Sequence, residues 1–200
     1  MKFEKFVFFF LTIVKFSISE HKTMGCITTG SSTYRLLEDV PYSSSFSAWA
    51  SFNDSLHEIG WGKLHVKAKA QSGVSTDKNA MYCAGLVEGA LTHERISQHF
   101  SLWKSNWSQE IRSWVANNID YTRAGIAARS KMDPWWATVE KVVTRIDGIL
   151  EGYRKMREKG EEEIDEIAFW MLQGTGDMED IEAIAKNEVR DALWWDVHSH

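Results

Sequence analysis

The sequence predicts an α+β fold, and two observations carry that expectation. Across residues 42 to 70 apolar and polar residues alternate, the period of a strand with one buried face. From residue 78 onward the apolar period lengthens to three and four, as amphipathic helices require, and no segment repeats. Strands first and then a layer of antiparallel helices is the α+β order. At 200 residues the chain has room for one domain with a sizeable core and is short for two.

The elements follow in chain order. Lys2 and Lys5 precede the apolar run Phe6 to Val14, and Ser17-Ile18-Ser19 offers small residues for a peptidase, so residues 1–19 are expected to be a secretory signal peptide and residues 20–200 the mature domain. Lys15 ends the run well short of the roughly 20 apolar residues that cross a bilayer. Residues 20 to 40 are rich in Ser, Thr and Gly and predict loop or one short strand. In "GWGKLHVKAKA", Leu64, Val66 and Ala68 share one parity and Lys63, His65, Lys67 and Lys69 the other. That is a half-buried strand, and Gly60 and Gly62 around Trp61 mark a tight turn or a close backbone approach.

Cys83, Val87, Ala90, Leu91, Ile96, Phe100 and Trp103 then fall near one face of a long proline-free segment. Trp107, Ile111, Trp114, Val115 and Ile119 continue the period, and Asn106 with Gln109 has the spacing of a capping box. The clearest helix starts with Asp133 as cap and Pro134 in the first position, and carries Trp136, Val139, Val143, Ile146, Leu150 and Tyr153. "KMREKGEEEIDE" is a solvated break, Ile164 to Leu172 a short apolar segment, and Asp177 the cap of a last short helix.

A net charge of −5 and no dense Lys/Arg stripe argue against nucleic acid as a partner. Asn53-Asp54-Ser55 and Asn106-Trp107-Ser108 fit the N-glycosylation pattern, in keeping with secretion, and a glycan on Asn106 competes with its capping role. Cys26 and Cys83 are free to form one disulfide in an oxidising compartment or to remain thiols, Cys83 as a buried one. Gly-x-Ser-x-Gly is absent. In His93-Glu94 with His99 the second histidine stands six positions after the first where the zinc motif needs four, and His198 with His200 lacks further ligands. No metal site, cofactor or complete catalytic set is expected from the residues alone.

Three stretches, "GWGKLHVKA", "YCAGLVEGALTHERISQHF" and "FWMLQGTGDMEDIEA", in this order and spacing, resemble the amino-terminal part of the phospholipase B-like proteins, and "DPWWATVEKVVTRIDGILEGY" resembles the helix between them. The resemblance implies an N-terminal-nucleophile hydrolase fold, with two stacked sheets between helical layers (αββα), made as a self-cutting precursor. It implies a cysteine nucleophile at the start of the larger product, with the freed α-amine, of reference pKa about 7.7 to 8, as the nearby base. That cysteine follows the "GD-acid-acid" motif in the family, whereas no cysteine follows Cys83 here. No catalytic residue is therefore assigned to this chain, which is expected to be the amino-terminal portion of a secreted or lysosomal hydrolase of phospholipid acyl esters. Its expected partners are the carboxy-terminal portion of the same precursor and an acyl substrate, and "DALWWDVHSH" is expected to approach the cleavage point. An acyl-amide hydrolase on the same scaffold, or a non-catalytic secreted binding module, are the alternatives.

Overall fold

A computed structural model describes residues 20–29, 33–70 and 76–185. The expected leader, residues 1–19, and the terminal stretch with His198 and His200 lie outside the described residues. Four strands, β1 (Glu20–Thr29), β2 (Thr33–Glu38), β3 (Ala48–Ser55) and β4 (Trp61–Ala68), form an antiparallel sheet in the order β2-β1-β3-β4. A one-turn helix α1 (Leu56–Ile59) joins β3 to β4. Six helices follow: α2 (Asp77–Leu91), α3 (His93–Trp103), α4 (Gln109–Arg129), α5 (Pro134–Met156), α6 (Glu166–Gln173) and α7 (Met178–Ala185). The α+β class holds, with one sheet among the described residues where the resemblance implies two.

The Ser/Thr/Gly-rich stretch, expected as loop or one short strand, forms two strands, β1, which pairs on both sides, and β2 at the sheet's edge. The alternation of β1 is hidden in small and polar residues: Met24, Cys26 and Thr28 are buried, and they face the core through side chains that a loop also uses. Ala48, Ala50 and Phe52 of β3 join them, with Leu64 and Val66 of β4 half-buried beside them. Ala68, predicted on the same face, is exposed at the strand's end. Gly60 has φ +77° and returns its N–H to the Leu56 carbonyl, so a side chain there is strained. Gly62 lies under the Phe52 ring, with which an added Cβ would be in contact at 3.0 Å.

One sheet face rests on α2, which is buried on nearly every side: Ala80, Cys83, Ala84, Leu86, Val87, Ala90 and Leu91 are all in the core. The sheet covers one side of α2 and α5 covers another. Contrary to the expected antiparallel layer, α2 and α5 run in the same direction: Lys78 meets Glu140, Gly85 meets Gly148 and Ala90 meets Gly152. The intervening α3 and α4 return the chain to the starting end, so α5 repeats the sense of α2. Gly85 and Gly89 face Gly148 and Gly152, and a Cβ on any of the four would run into backbone of the other helix. The two backbones touch, which only glycine permits.

The expected long helix after residue 78 breaks at Thr92, which leaves helical geometry (φ −110°, ψ 14°) and donates its hydroxyl to the Glu88 carbonyl at 2.8 Å. Neither proline nor glycine causes the break. Contacts beyond it fix the new direction: His93 Nδ1 lies 2.9 Å from Glu161, and Arg95 donates to Asp54 at 2.8 Å. Asn106 does not cap α4. Trp107 is extended, the helix starts later, and Ser108 Oγ accepts from the Ile111 N–H. Asp133 caps α5 by accepting from the Trp135 N–H at 2.9 Å, with Pro134 in the first turn as predicted. Asp177 closes a 3-10 turn, Thr175–Asp177, that leads into α7.

The solvated break over residues 157 to 163 is pinned from beneath. Tyr153 is fully buried and its hydroxyl donates to the Glu162 carbonyl, while the Glu162 N–H donates to Ser97 Oγ at 2.9 Å. Three carboxylates on the helical side are held below their ordinary range. Lys104 and then Ser101 donate to Glu162, and Lys78 and Ser130 stabilise ionised Glu140 against its burial. At Asp165 burial opposes ionisation, but the Ala168 N–H and Arg112 together outweigh it. Depressed folded-state values mean stability that is complete above the unfolded range of about 4 and is lost as pH falls through the folded values. Urea midpoints should therefore show no loss from these groups between pH 7 and 5 and a fall below about pH 4. Asp165→Asn, which keeps a capping oxygen, should reduce the acid slope. An unchanged slope would remove Asp165 from that account.

Candidate functional site

A cleft of about 620 Å³ is bounded by β2, α2, α4 and α5. Tyr34, Lys78, Asn79, Tyr82, Arg123 and Asp147 carry its polar wall. Arg123 forks onto Asp147 at 2.7 and 3.2 Å and also donates to Glu166, and these hydrogen bonds, Asp147 foremost, raise its pKa above the ordinary arginine value. The Tyr34 and Tyr82 rings lie 4.5 Å apart, and Tyr34 donates to Asn79 Oδ1 at 3.3 Å. Burial raises both phenols, with Glu151, Tyr34 and Asp147 adding to the effect at Tyr82. Both hydroxyls stay protonated as donors. The lining residues include Glu140 and Thr144 as well, and no Cys, Ser or His. Its residues come from four separate segments, and no spacing in the sequence marks them.

The residues singled out from sequence lie elsewhere. Cys26 and Cys83, both fully buried, are joined by a disulfide that ties β1 to α2 beneath the sheet. Neither is available as a thiol, and the free-thiol alternative gives way. Asn106 is exposed in the 3-10 turn Lys104–Asn106. Asn53 lies half-buried within β3, opposite His21 of β1 and Lys63 of β4, on the sheet face turned away from α2. His93 is engaged by Glu161 rather than with His99. Among the described residues no cluster of three or more His, Cys, Asp or Glu is arranged to hold a metal ion.

The three resemblance motifs are scaffold. "GWG" turns the chain into β4, "CAGLVEGA" carries the glycines that meet α5, and "QGTGDMED" makes the turn from α6 to α7.

Among the described residues, the face of the sheet opposite α2 is only partly covered. A strap over residues 39 to 47 crosses one end: Phe46 sits on Gly25, and Trp49 Nε1 donates to the Val40 carbonyl at 2.9 Å. At the other side Trp61, Lys63, His65 and Lys67 of β4 are exposed. The sheet thus has helices on one face and an open flank on the other.

These features define a disulfide-tied α+β scaffold whose sheet, among the described residues, is only partly covered on the face opposite α2. The family model for Phospholipase B matches residues 48–199, and the chain belongs to that family. It is similar to phospholipase B of Crotalus adamanteus, 29% identical over 152 residues that make up 72% of this chain and 27% of the relative. Phospholipase B-like 1 of Rattus norvegicus is 28% identical over 143 residues, 67% of this chain and 26% of the relative. Phospholipase B-like protein E of Dictyostelium discoideum is 30% identical over 145 residues, 67% of this chain and 25% of the relative. The chain spans about a quarter of the length of these relatives.

Proposed function

We propose that the chain is the amino-terminal portion of a secreted or lysosomal phospholipase B-like hydrolase that cleaves acyl esters of phospholipids. Family membership, together with the helix-covered sheet open on its other face, is the observation that carries this reading. In an N-terminal-nucleophile fold a second sheet stacks on such a face, about 10 Å away. The carboxy-terminal portion of the precursor supplies that sheet and the nucleophilic cysteine, while this chain supplies the helical layer and the strands beneath. The chemistry is thiolate attack on the acyl carbonyl with the freed α-amine as base.

The test is to read the transcript past the codon for His200 and express the joined protein. Fatty-acid release from phosphatidylcholine by the joined protein, none from this chain alone, and loss on replacing the first cysteine after the cleavage point by serine is the expected result. Hydrolysis of acyl amides but not esters would transfer the reading to an amidase. A stop codon after His200 would remove hydrolysis from this product.

Secretion also predicts a glycan on Asn106, which the exposed turn presents without disturbing the Ser108 cap. In a secreted preparation Asn106→Gln should remove one glycosidase-sensitive mobility step and leave the thermal midpoint within about 0.5 kcal/mol equivalent, as for surface changes. An unchanged mobility would refute the glycan at this position.

A further inference from the structure

The tip of the α4–α5 hairpin carries an exposed aromatic cluster that the hydrolytic reading does not use. Trp136 is buried at its centre, lying over Gly125, where any Cβ would collide with the indole ring. Around it Tyr121, Met132 and Trp135 remain 65%, 80% and 63% exposed. Their placement is ordered: Trp135 packs edge-on to Trp136 with centroids 4.8 Å apart, and Tyr121 does so at 6.3 Å. Arg129 stacks over the Trp136 ring at 4.1 Å, and Lys131 is exposed in the turn. The acids nearby are Asp133, which caps α5, Asp120, exposed beside Tyr121, and Glu140, which is held by Lys78 and Ser130 and also faces Lys131.

We infer that this tip is a contact for a lipid surface. Its large exposed side chains gather around the turn between the two helices. Trp and Tyr are the residue types that settle at the boundary of headgroup and hydrocarbon, where one end of the side chain is apolar and the other wet. Met132 supplies an apolar anchor between them. Arg129 and Lys131 stand at the same tip and complement an anionic surface, since Asp133 is engaged by the helix N-terminus and Glu140 by Lys78. The inference stands on this cluster and not on the hydrolytic reading, so loss of either leaves the other to be judged separately.

The test is co-sedimentation of this chain with phosphatidylcholine vesicles, with and without a minor share of phosphatidylserine. Binding is expected to both, stronger with phosphatidylserine, and Met132→Asp with Trp135→Ser should lower it at least about tenfold, the scale set by two buried apolar side chains. Leu102→Asp, at an exposed apolar site elsewhere, should leave it unchanged. Circular dichroism melts confirm that each variant is folded. Absence of binding, or equal loss in the Leu102 variant, would overturn the inference. Binding by this chain but not by the joined precursor would assign the cluster to the junction with the carboxy-terminal portion and would overturn it too.

Discussion

Gly89→Ala is expected to destabilise the chain by about 3 kcal/mol or more, at the upper end of what overpacking costs. One methyl group is added, but the atoms it meets are the carbonyl oxygen, carbonyl carbon and Cα of Ile149, all backbone. A side chain in the way can change rotamer; a helix backbone moves only if the helix does. Separating α2 from α5 would open the core on the side of α2 away from the sheet and loosen Gly85, Gly148 and Gly152, which rely on the same approach. Gly176→Ala is the matched control, because a Cβ there meets nothing within 4 Å and its backbone lies outside the left-handed region. That change should be neutral or stabilising by about 0.4 to 1 kcal/mol. Urea denaturation of the two variants gives the comparison, and equal midpoints would refute the backbone contact between α2 and α5.

Removing both cysteines by Cys26→Ala and Cys83→Ala is expected to cost about 4 kcal/mol in the chain-entropy account of a bridge closing this length of chain. The half-cystines are 57 positions apart, so the unfolded chain regains a large loop when the bridge is lost. Both are fully buried between β1 and α2, so the native protein should resist mild reductant until it unfolds. Thiol titration of unreduced, denatured protein should find no free thiol. Two titratable thiols, or a double variant with an unchanged urea midpoint, would contradict the bridge.

Helix α5 was legible almost to the residue, since Asp133, Pro134 and the spacing of Trp136, Val143, Leu150 and Tyr153 all lie within the element they define. Strand β4 was legible for the same reason, through Leu64 and Val66 against Lys63, His65 and Lys67. Strand β1 was legible only as one of two alternatives, loop or short strand, because its inward residues include Cys26 and Thr28, whose burial depends on neighbours distant in sequence. The Asn106 cap failed on one local detail, the extended Trp107 that moves the helix start to Ser108. The cleft was invisible, since Lys78, Arg123 and Asp147 are brought together only by the packing of three helices.

By itself, then, the sequence determined the α+β class, most of the helical segments and the motifs that mark the family, because local periodicity and short signatures are properties of residues within a few turns of one another. Only the tertiary structure decided that α2 and α5 run the same way with glycines in contact, that Cys26 pairs with Cys83, that the helix breaks at Thr92, and that the described residues cover one face of the sheet only in part. Each of these depends on which surfaces meet across the fold, and surfaces meet to satisfy packing and hydrogen bonding of the whole chain at once.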